Sequence, residues 1–229
     1  MSKTATIRRA ARMFFLILVP SSFILSSSGC TAAGVLAYKL HGPAKVPAQY
    51  VPQQTPMLVL VENYEHQSSV NAHADLLAQM LMKELGEWKV APIVPLERLQ
   101  ELRDARPREF PTMSMATIGR EVGAEQILYV QLHRTDVTPM MGAAGGDALT
   151  GQASASVKVV DVASGDTLWP GGISNDTGYP VSAATKLGAH NGANVADVRQ
   201  RMYVQLSHDI AKLFYKWQPE YEEAEGFEN

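Results

Sequence analysis

Residues 57–61 read Met-Leu-Val-Leu-Val, a continuous apolar run that directly follows Pro56. The run is too short for a buried helix, and its length and branched side chains suit a strand that is covered on both faces. A strand of this kind requires helices on both sides of its sheet. The fold is therefore predicted to begin here, as an α/β domain.

The segments after this run alternate between helical and extended patterns. Apolar residues at helical spacing predict helices, and short apolar or alternating runs predict strands. The predicted helices are 70–85, 96–102, 114–122 and 195–217, and the predicted strands are 57–61, 88–94, 127–132, 153–159 and 167–169. The order β-α-β-α-α-β-β-β-α predicts an α/β (α+β) domain with a mixed sheet of about five strands and flanking helices.

Two stretches have no regular period and are predicted to be loops. Residues 139–151 are rich in Met, Ala and Gly, and residues 170–194 are rich in Gly, Asn and Ser. Met140 and Met141 lie in the first of these loops. Their side chains either tuck back onto the core or stay exposed as an adaptable apolar contact.

The sequence before the first strand predicts a spacer. Residues 30–56 carry proline at positions 43, 47, 52 and 56. Proline fixes φ and lacks an N–H donor, so this segment fits an extended tether better than a helix or a central strand. Residues 57–217 are then predicted to form one domain, and residues 218–229 an acidic tail.

The first 29 residues have the pattern of a secretory signal peptide. Basic residues at positions 3, 8, 9 and 12 precede an apolar run that is too short for a permanent membrane span. The sequence Ser27-Ser28-Gly29-Cys30 resembles a bacterial lipobox, with Ser27 where leucine is usual. Cys30 is the only cysteine, so it cannot form an internal disulfide. It is predicted to carry lipid; an uncleaved anchor and a plain secreted protein are the alternatives.

Charge limits the partners that this chain can bind. The whole sequence carries a net charge of −3, and residues 1–29 carry four positive charges and no negative one. The remaining chain is therefore acidic, which argues against nucleic-acid binding and against attachment to anionic lipid by charge alone. Attachment is predicted to come from acyl chains, palmitate among them, on Cys30.

The search for catalytic or metal-binding motifs finds none. The six histidines form no H-E-x-x-H array, and one cysteine cannot build a zinc site. His66 and His73 could approach a metal together with Glu65, but surface solvation explains them better. Residues 142–146 are glycine-rich without the Lys-Ser/Thr of a phosphate loop. The chain is predicted to be no enzyme and to hold no cofactor and no metal.

Three stretches together carry a resemblance to known proteins, and the first is the buried strand from Leu58 to Asn63, which ends in a polar loop. Residues 118–128 resemble a helix, Gly-Ala-Asp and strand step, and residues 159–169 resemble a hairpin of V-D-x-x-T-G-x-x-x-W type, with Glu125 and Ser164 in place of Asp and Thr. Together they resemble a group of bacterial envelope proteins that includes the TolB N-terminal domain, CsgG and LpoB. The resemblance implies an envelope interaction domain without a catalytic centre. Asp161 is predicted to accept hydrogen bonds from the hairpin turn.

The leading hypothesis is a lipid-anchored periplasmic adaptor that binds another envelope protein. The alternatives are an enzyme acting on cell-wall material and an accessory subunit of a secretion or outer-membrane complex. Thr31 follows the cysteine, and the absence of aspartate there favours the outer membrane by resemblance to sorting in enteric bacteria. The predicted partners are the membrane, through Cys30, and an envelope protein; a homo-oligomer stays open.

Overall fold

The computed structural model describes residues 44–63, 72–141, 147–172, 174–188 and 194–219. Within them, Pro47–Trp217 form one compact unit. The other unit, Met1–Val46 with Gln218–Asn229, lies almost entirely outside the described residues. The predicted signal peptide, Cys30 and nearly all of the acidic tail fall there.

The described chain contains five strands, four helices of at least eight residues, a one-turn helix and a short 3-10 turn. The strands are β1 (Met57–Asn63), β2 (Gln126–Met141), β3 (Asp147–Asp161), β4 (Thr167–Trp169) and β5 (Tyr179–Gly188). The helices are α1 (Ala72–Glu87), α2 (Leu96–Ala105), α3 (Met115–Val122), α4 (Ser174–Thr177) and α5 (Val195–Ala211), with the 3-10 turn at Phe110–Thr112. The predicted fold class is confirmed.

The five strands form one mixed sheet. Strand β1 runs parallel to β2, with Met57 opposite Gln126, and β2 runs antiparallel to β3. Strands β4 and β5 both pair with β3 in the antiparallel sense. Strand β4 pairs near the C-terminal end of β3, and β5 pairs with β3 from Ala148 to Val157. The sheet is thus parallel only at β1–β2, where helices α1, α2 and α3 supply the crossover.

Helices cover the two faces of the sheet unequally. Helix α5 packs on β3 and β5, where a Cβ on Gly151 would stand 2.8 Å from Cγ1 of Val198. Helix α1 contacts β1 and α5, so both long helices share this face. On the other face, a Cβ on Gly119 of α3 would stand 2.5 Å from Val162 and 3.2 Å from Ile127. Two glycines therefore set how closely the helices approach the strands.

Local sequence signals fix the ends of two helices. Ser114 caps α3 by accepting from the N–H of Thr117, and Gly123 ends the helix with φ at 76°. Asn194 caps α5 in a reciprocal capping box with Asp197. The step from α3 into β2 has the order that the sequence predicts.

The strand predicted at 88–94 is wrong. This stretch follows α1 as a turn, and only Ile93 pairs, in an isolated bridge with Met57. The N–H of Met57 donates to the carbonyl of Pro92, and the N–H of Val94 donates to the carbonyl of Met57. Pro92 and Pro95 remove the donors that a longer ladder would need, and Val90, Ala91 and Val94 are buried without forming a strand.

Both predicted loops contain strand instead. Strands β2 and β3 continue through most of 139–151 and pair as far as Met141 with Asp147. Strand β5 occupies 179–188, within the loop predicted at 170–194. The side chains of Met140 and Met141 lie outside what the structure describes, so their predicted alternatives stay predictions.

The last helix is shorter than predicted. Helix α5 ends at Ala211 rather than at Trp217, and the next residues turn back onto the domain. Its predicted stripe is otherwise correct, since Val198, Met202 and Leu206 are fully buried, whereas Val195 is 45% exposed. Among the described residues, no helix is long and apolar enough to cross a bilayer.

Candidate functional site

The end of the predicted tether is bound to the domain. The N–H groups of Gln49 and Tyr50 donate to the carbonyl of Leu213, at 2.8 and 3.1 Å. Gln54 donates its side-chain amide to the carbonyl of Val90, and Pro52 is buried. Residues 47–56 therefore belong to the folded unit, and Val46 takes part in a β-bridge, so a free spacer can extend at most to residue 45.

A buried glutamine fixes this segment. The side-chain amide of Gln126, the first residue of β2, donates to the carbonyl of Gln53 at 2.6 Å and to that of Thr55 at 3.1 Å. Gln126 is 2% exposed. In addition, the carbonyl of Pro56 accepts from the N–H groups of Glu125 and Gln126. The docked segment thus continues directly into β1 beside the start of β2.

An aromatic cluster holds the other end of the docked segment. Trp169 of β4 stacks with Tyr50 at 6.2 Å and with Tyr179 at 5.1 Å between ring centroids. Phe214 meets the same indole edge-on at 5.7 Å. Because its rings come from the docked segment, β4, β5 and the turn after α5, this cluster ties four parts of the chain together.

A second aromatic pair lies beside that turn. Trp88, directly after α1, stacks on Tyr215 with centroids 4.3 Å apart and planes 9° apart. Tyr215 donates its hydroxyl to the carboxylate of Glu84, which also contacts Nδ1 of His208 at 2.5 Å. Tyr215 is buried, whereas Trp88 is 52% exposed. Glu84 and His208 thus position a ring on which an exposed indole rests.

The residue after Trp88 has an unusual backbone conformation. Lys89 has φ at 51°, and among the described residues it is the one non-glycine with a positive φ. Its N–H donates to the carbonyl of Gly86, and the N–H of Val90 donates to that of Leu85. This is the Schellman end of α1, with lysine at the position where glycine is favoured.

We call the surface formed by Val51, Trp88, Lys89, Lys216 and Trp217 the tether-end patch. Val51 is 71% exposed and follows Tyr50, which hydrogen-bonds to Leu213 at the start of the turn. Trp217 ends the turn and lies under the ammonium of Lys212, 4.3 Å from its ring centroid. Large apolar groups and lysines therefore share one end of the domain, where the docked segment enters.

A second surface is polar. We call the part of the sheet face beyond α3 the open face. Its members are all exposed or half-buried: Glu62, Gln131, His133, Gln152, Ser154, Ser156, Lys158 and Ser182. Tyr129 links part of it, donating its hydroxyl to Glu62 at 2.7 Å beneath the ammonium of Lys158. His133 Nε2 lies 2.6 Å from the Ser156 hydroxyl.

The shifted pKa values have structural causes. The backbone N–H of Ser164, then its hydroxyl, lower the pKa of Asp161, which accepts both at 2.7 and 2.9 Å. The predicted role of Asp161 in the hairpin turn is confirmed. Burial, and secondarily the charge of Asp161, raise the pKa of Tyr50. Burial also raises the pKa of Tyr203 and Tyr215.

The residues singled out in the sequence are only partly placed. Cys30, Glu65 and His66 lie outside the described residues. The lipid site at Cys30 therefore stays a prediction, and so does the metal site considered at Glu65, His66 and His73. His73 packs against the Tyr203 ring at 6.0 Å. In the described part of the chain, no three His, Cys, Asp or Glu residues come together as metal ligands.

Sequence reasoning missed the docked segment and the tether-end patch. Trp88 stood inside a predicted strand, although Gly86 had already indicated that the helix stops. Gln126 had no pattern that marks it, because its partners are backbone carbonyls more than seventy positions away. Trp88, which closely follows the predicted helix end at Gly86, is the one sequence signal that could have indicated the tether-end patch.

Comparison with known proteins gives likeness in structure alone. No family model matches this sequence, and no curated protein matches it. Lipoprotein GNA1162 from Neisseria meningitidis is 17% identical over 63% of this chain and 90% of its own, with a TM-score of 0.39. A minor lipoprotein from Acinetobacter baumannii is 9% identical over 73% and 98%, with a TM-score of 0.40.

A PelC dodecamer from Paraburkholderia phytofirmans is 10% identical over 75% of this chain and 97% of that one, with a TM-score of 0.36. The chain is thus a five-stranded mixed α/β domain, and the solved structures that it resembles include bacterial lipoproteins. At these identities and TM-scores, the likeness assigns no activity and no partner.

Proposed function

We propose that this chain is a lipid-anchored protein of the bacterial cell envelope whose folded domain is a non-catalytic binding module. The observation that carries the proposal is the pattern that ends at Cys30. A basic start, a short apolar run and small residues precede the only cysteine of the chain. Lipid on that thiol would attach an otherwise acidic chain to a bilayer.

The docked segment supports an anchoring role for the residues that precede it. A chain pulled at its lipid end would transmit force through residues 47–56, which the Gln126 amide and the aromatic cluster around Trp169 hold on the domain. Residues 31–45 can then reach at most about 46 Å, at about 3.1 Å per residue for a fully extended chain. The domain would stay within that distance of the membrane.

The open face supports binding rather than catalysis as the role of the domain. It is a pleated surface whose side chains carry amides, hydroxyls and charges of both signs. Surfaces of this composition fit the polar part of a protein interface. The proposed partner is another envelope protein or a second copy of this chain.

The proposed location is the outer membrane, on its periplasmic side. Thr31 supports this placement, because aspartate at that position is the inner-membrane signal in enteric bacteria. A Thr31→Asp variant is then expected to move to the inner-membrane fraction on a density gradient. An unchanged distribution would contradict the sorting part of the proposal and leave the anchor itself in place.

The anchor is tested by mass spectrometry of the N-terminus together with a Cys30→Ala variant. We expect wild type to begin at an acylated Cys30 and to sediment with membranes, and the variant to be released. An uncut, unmodified leader, or a variant that sediments as wild type does, would overturn the proposal.

The binding role is tested with a photoreactive amino acid at Gln131 on the open face. The matched control carries the same group at Gln205, on the outer side of α5, where the amide contacts only Asp209 among the described groups. Crosslinks from position 131 and not from 205 are expected, and two differently tagged copies reveal self-association. Equal yields from the two positions would remove the open face from the proposal.

A further inference from the structure

We infer that the tether-end patch is a second membrane contact, in which Trp88 and Lys89 insert into the headgroup interface beside the lipid anchor. The inference rests on the proposed lipid attachment at Cys30. Its occupant is the surface of the same bilayer that holds the acyl chains. Three features of the patch support this contact: its exposure, its backbone conformation and its position where the chain enters the domain.

The exposed side chains of the patch suit an interface more than water. Trp88 is 52% exposed and Val51 is 71% exposed, and they are the most exposed large apolar residues of the described chain. One ring face of Trp88 rests on Tyr215, and 52% of the residue's surface stays exposed. Tryptophan favours the boundary between headgroups and acyl chains, where its ring is buried while its N–H stays hydrated.

Lys89 adds a charge where the backbone would favour glycine. A side chain in the left-handed region costs roughly 1 kcal/mol, so this lysine lowers stability relative to glycine. Strain of this kind points to a role for the side chain. Next to Trp88, an ammonium on a flexible stem can reach lipid phosphates while its methylenes cover apolar surface.

The path of the chain brings this end of the domain to the membrane. The docked segment begins at Pro47, and Tyr50 hydrogen-bonds to the turn that carries Tyr215 and Trp217. Only residues 31–46 separate Cys30 from that point. A tether of this length holds the patch at a millimolar effective concentration near lipid, so a weak contact suffices.

Charge alone does not account for the contact. Glu87 directly precedes Trp88 in the sequence, and Lys212 lies 3.9 Å from Asp209. The acidic residues 220–229 also follow Pro219 directly. The contact is therefore expected to persist on zwitterionic lipid, driven by the indole, and to need no anionic lipid.

The test uses the acylated full chain in vesicles of phosphatidylcholine with brominated or ordinary acyl chains. The chain has three tryptophans, so Trp169→Phe with Trp217→Phe leaves Trp88 as the sole indole emitter. We expect its emission to be quenched in brominated vesicles and shifted to shorter wavelength. In the matched control, Trp88→Phe with Trp217→Phe, the half-buried Trp169 reports no quenching.

The single variant Trp88→Phe guards against loss of folding, because it changes one exposed ring and keeps an aromatic group on Tyr215. Quenching of Trp88 in the Trp169→Phe, Trp217→Phe protein, together with no quenching in the Trp88→Phe, Trp217→Phe protein, supports the inference. If the acylated protein floats with vesicles but its Trp88 emission is equal in brominated and ordinary vesicles, the second membrane contact is wrong and the lipid anchor still stands. A Cys30 without acyl chains overturns the proposed function, and the inference with it.

Discussion

Gln126 holds Gln53 in place: its side-chain amide donates to the Gln53 carbonyl at 2.6 Å, across a separation of 73 positions in sequence. The same amide also reaches the carbonyl of Thr55. A buried amide bonded to two backbone carbonyls fixes the path of the chain that carries them. This contact makes residues 47–56 part of the domain.

A Gln126→Leu variant is expected to lower the free energy of unfolding by about 1–3 kcal/mol, because the two carbonyls lose their donor. Chemical denaturation measures the loss. Hydrogen exchange should also become faster at the N–H groups of Gln49 and Tyr50, which bond to Leu213. Gln152→Leu, at an exposed position of β3, is the control and should change stability by at most about 0.5 kcal/mol. Equal effects of the two variants would contradict the role of Gln126.

Two helical glycines are predicted to respond with opposite sign to the same change. In Gly119→Ala, the new Cβ would stand 2.5 Å from Val162, so α3 must move and stability should fall by about 1–3 kcal/mol. In Gly86→Ala, nothing lies within 4 Å of the new Cβ, and stability should rise by about 0.5–1 kcal/mol. Thermal and chemical denaturation of both variants check the pair. A tolerated Gly119→Ala would show that α3 does not approach the sheet this closely.

The periodic segments could be predicted from the sequence, because their burial is continuous along one element. Met57–Val61 and the stripe from Val198 to Ile210 are apolar at the spacing that their elements require, and both are buried as expected. The mixed α/β class follows from such segments alone. Capping residues such as Ser114 also mark their helix from local sequence.

The remaining elements depend on contacts between distant positions. Strand β5 places Val181, Ala183 and Thr185 on the inner face, but Pro180 and the two alanines weaken the strand pattern in the sequence. Gly151 looks like a loop residue, yet it is needed so that α5 can approach β3. The tether-end patch likewise forms only when Trp88 meets Tyr215, 127 positions later in the sequence.

Lys89→Gly is expected to raise the free energy of unfolding by roughly 1 kcal/mol, because glycine adopts the left-handed conformation without the cost that lysine bears. Lys83→Gly, at an exposed position inside α1, is the matched control. It should lower stability by about 1 kcal/mol, since glycine is unfavourable in a helix interior. Chemical denaturation compares the two. Destabilisation by both variants would argue against strain at Lys89.

Tyr215 is expected to make stability depend on alkaline pH. Burial, and secondarily the charge of Glu84, raise the pKa of Tyr215 in the folded chain above the value of about 10 that an unfolded chain shows. Above pH of about 10 the unfolded state therefore binds fewer protons than the native state, and the free energy of unfolding falls as pH rises, by up to about 1.4 kcal/mol per pH unit. Tyr215→Phe removes the contribution of Tyr215 to this dependence and leaves those of Tyr50 and Tyr203, whose pKa values burial also raises. At neutral pH the variant should be less stable by about 1 kcal/mol, through loss of the hydrogen bond to Glu84, and the two stability curves should approach each other above pH of about 10.

Glu84→Gln keeps the burial but removes the negative charge, so it should weaken the dependence without abolishing it. Denaturation curves measured from pH 7 to 11 test all three proteins, and curves that stay parallel throughout would contradict a raised pKa at Tyr215.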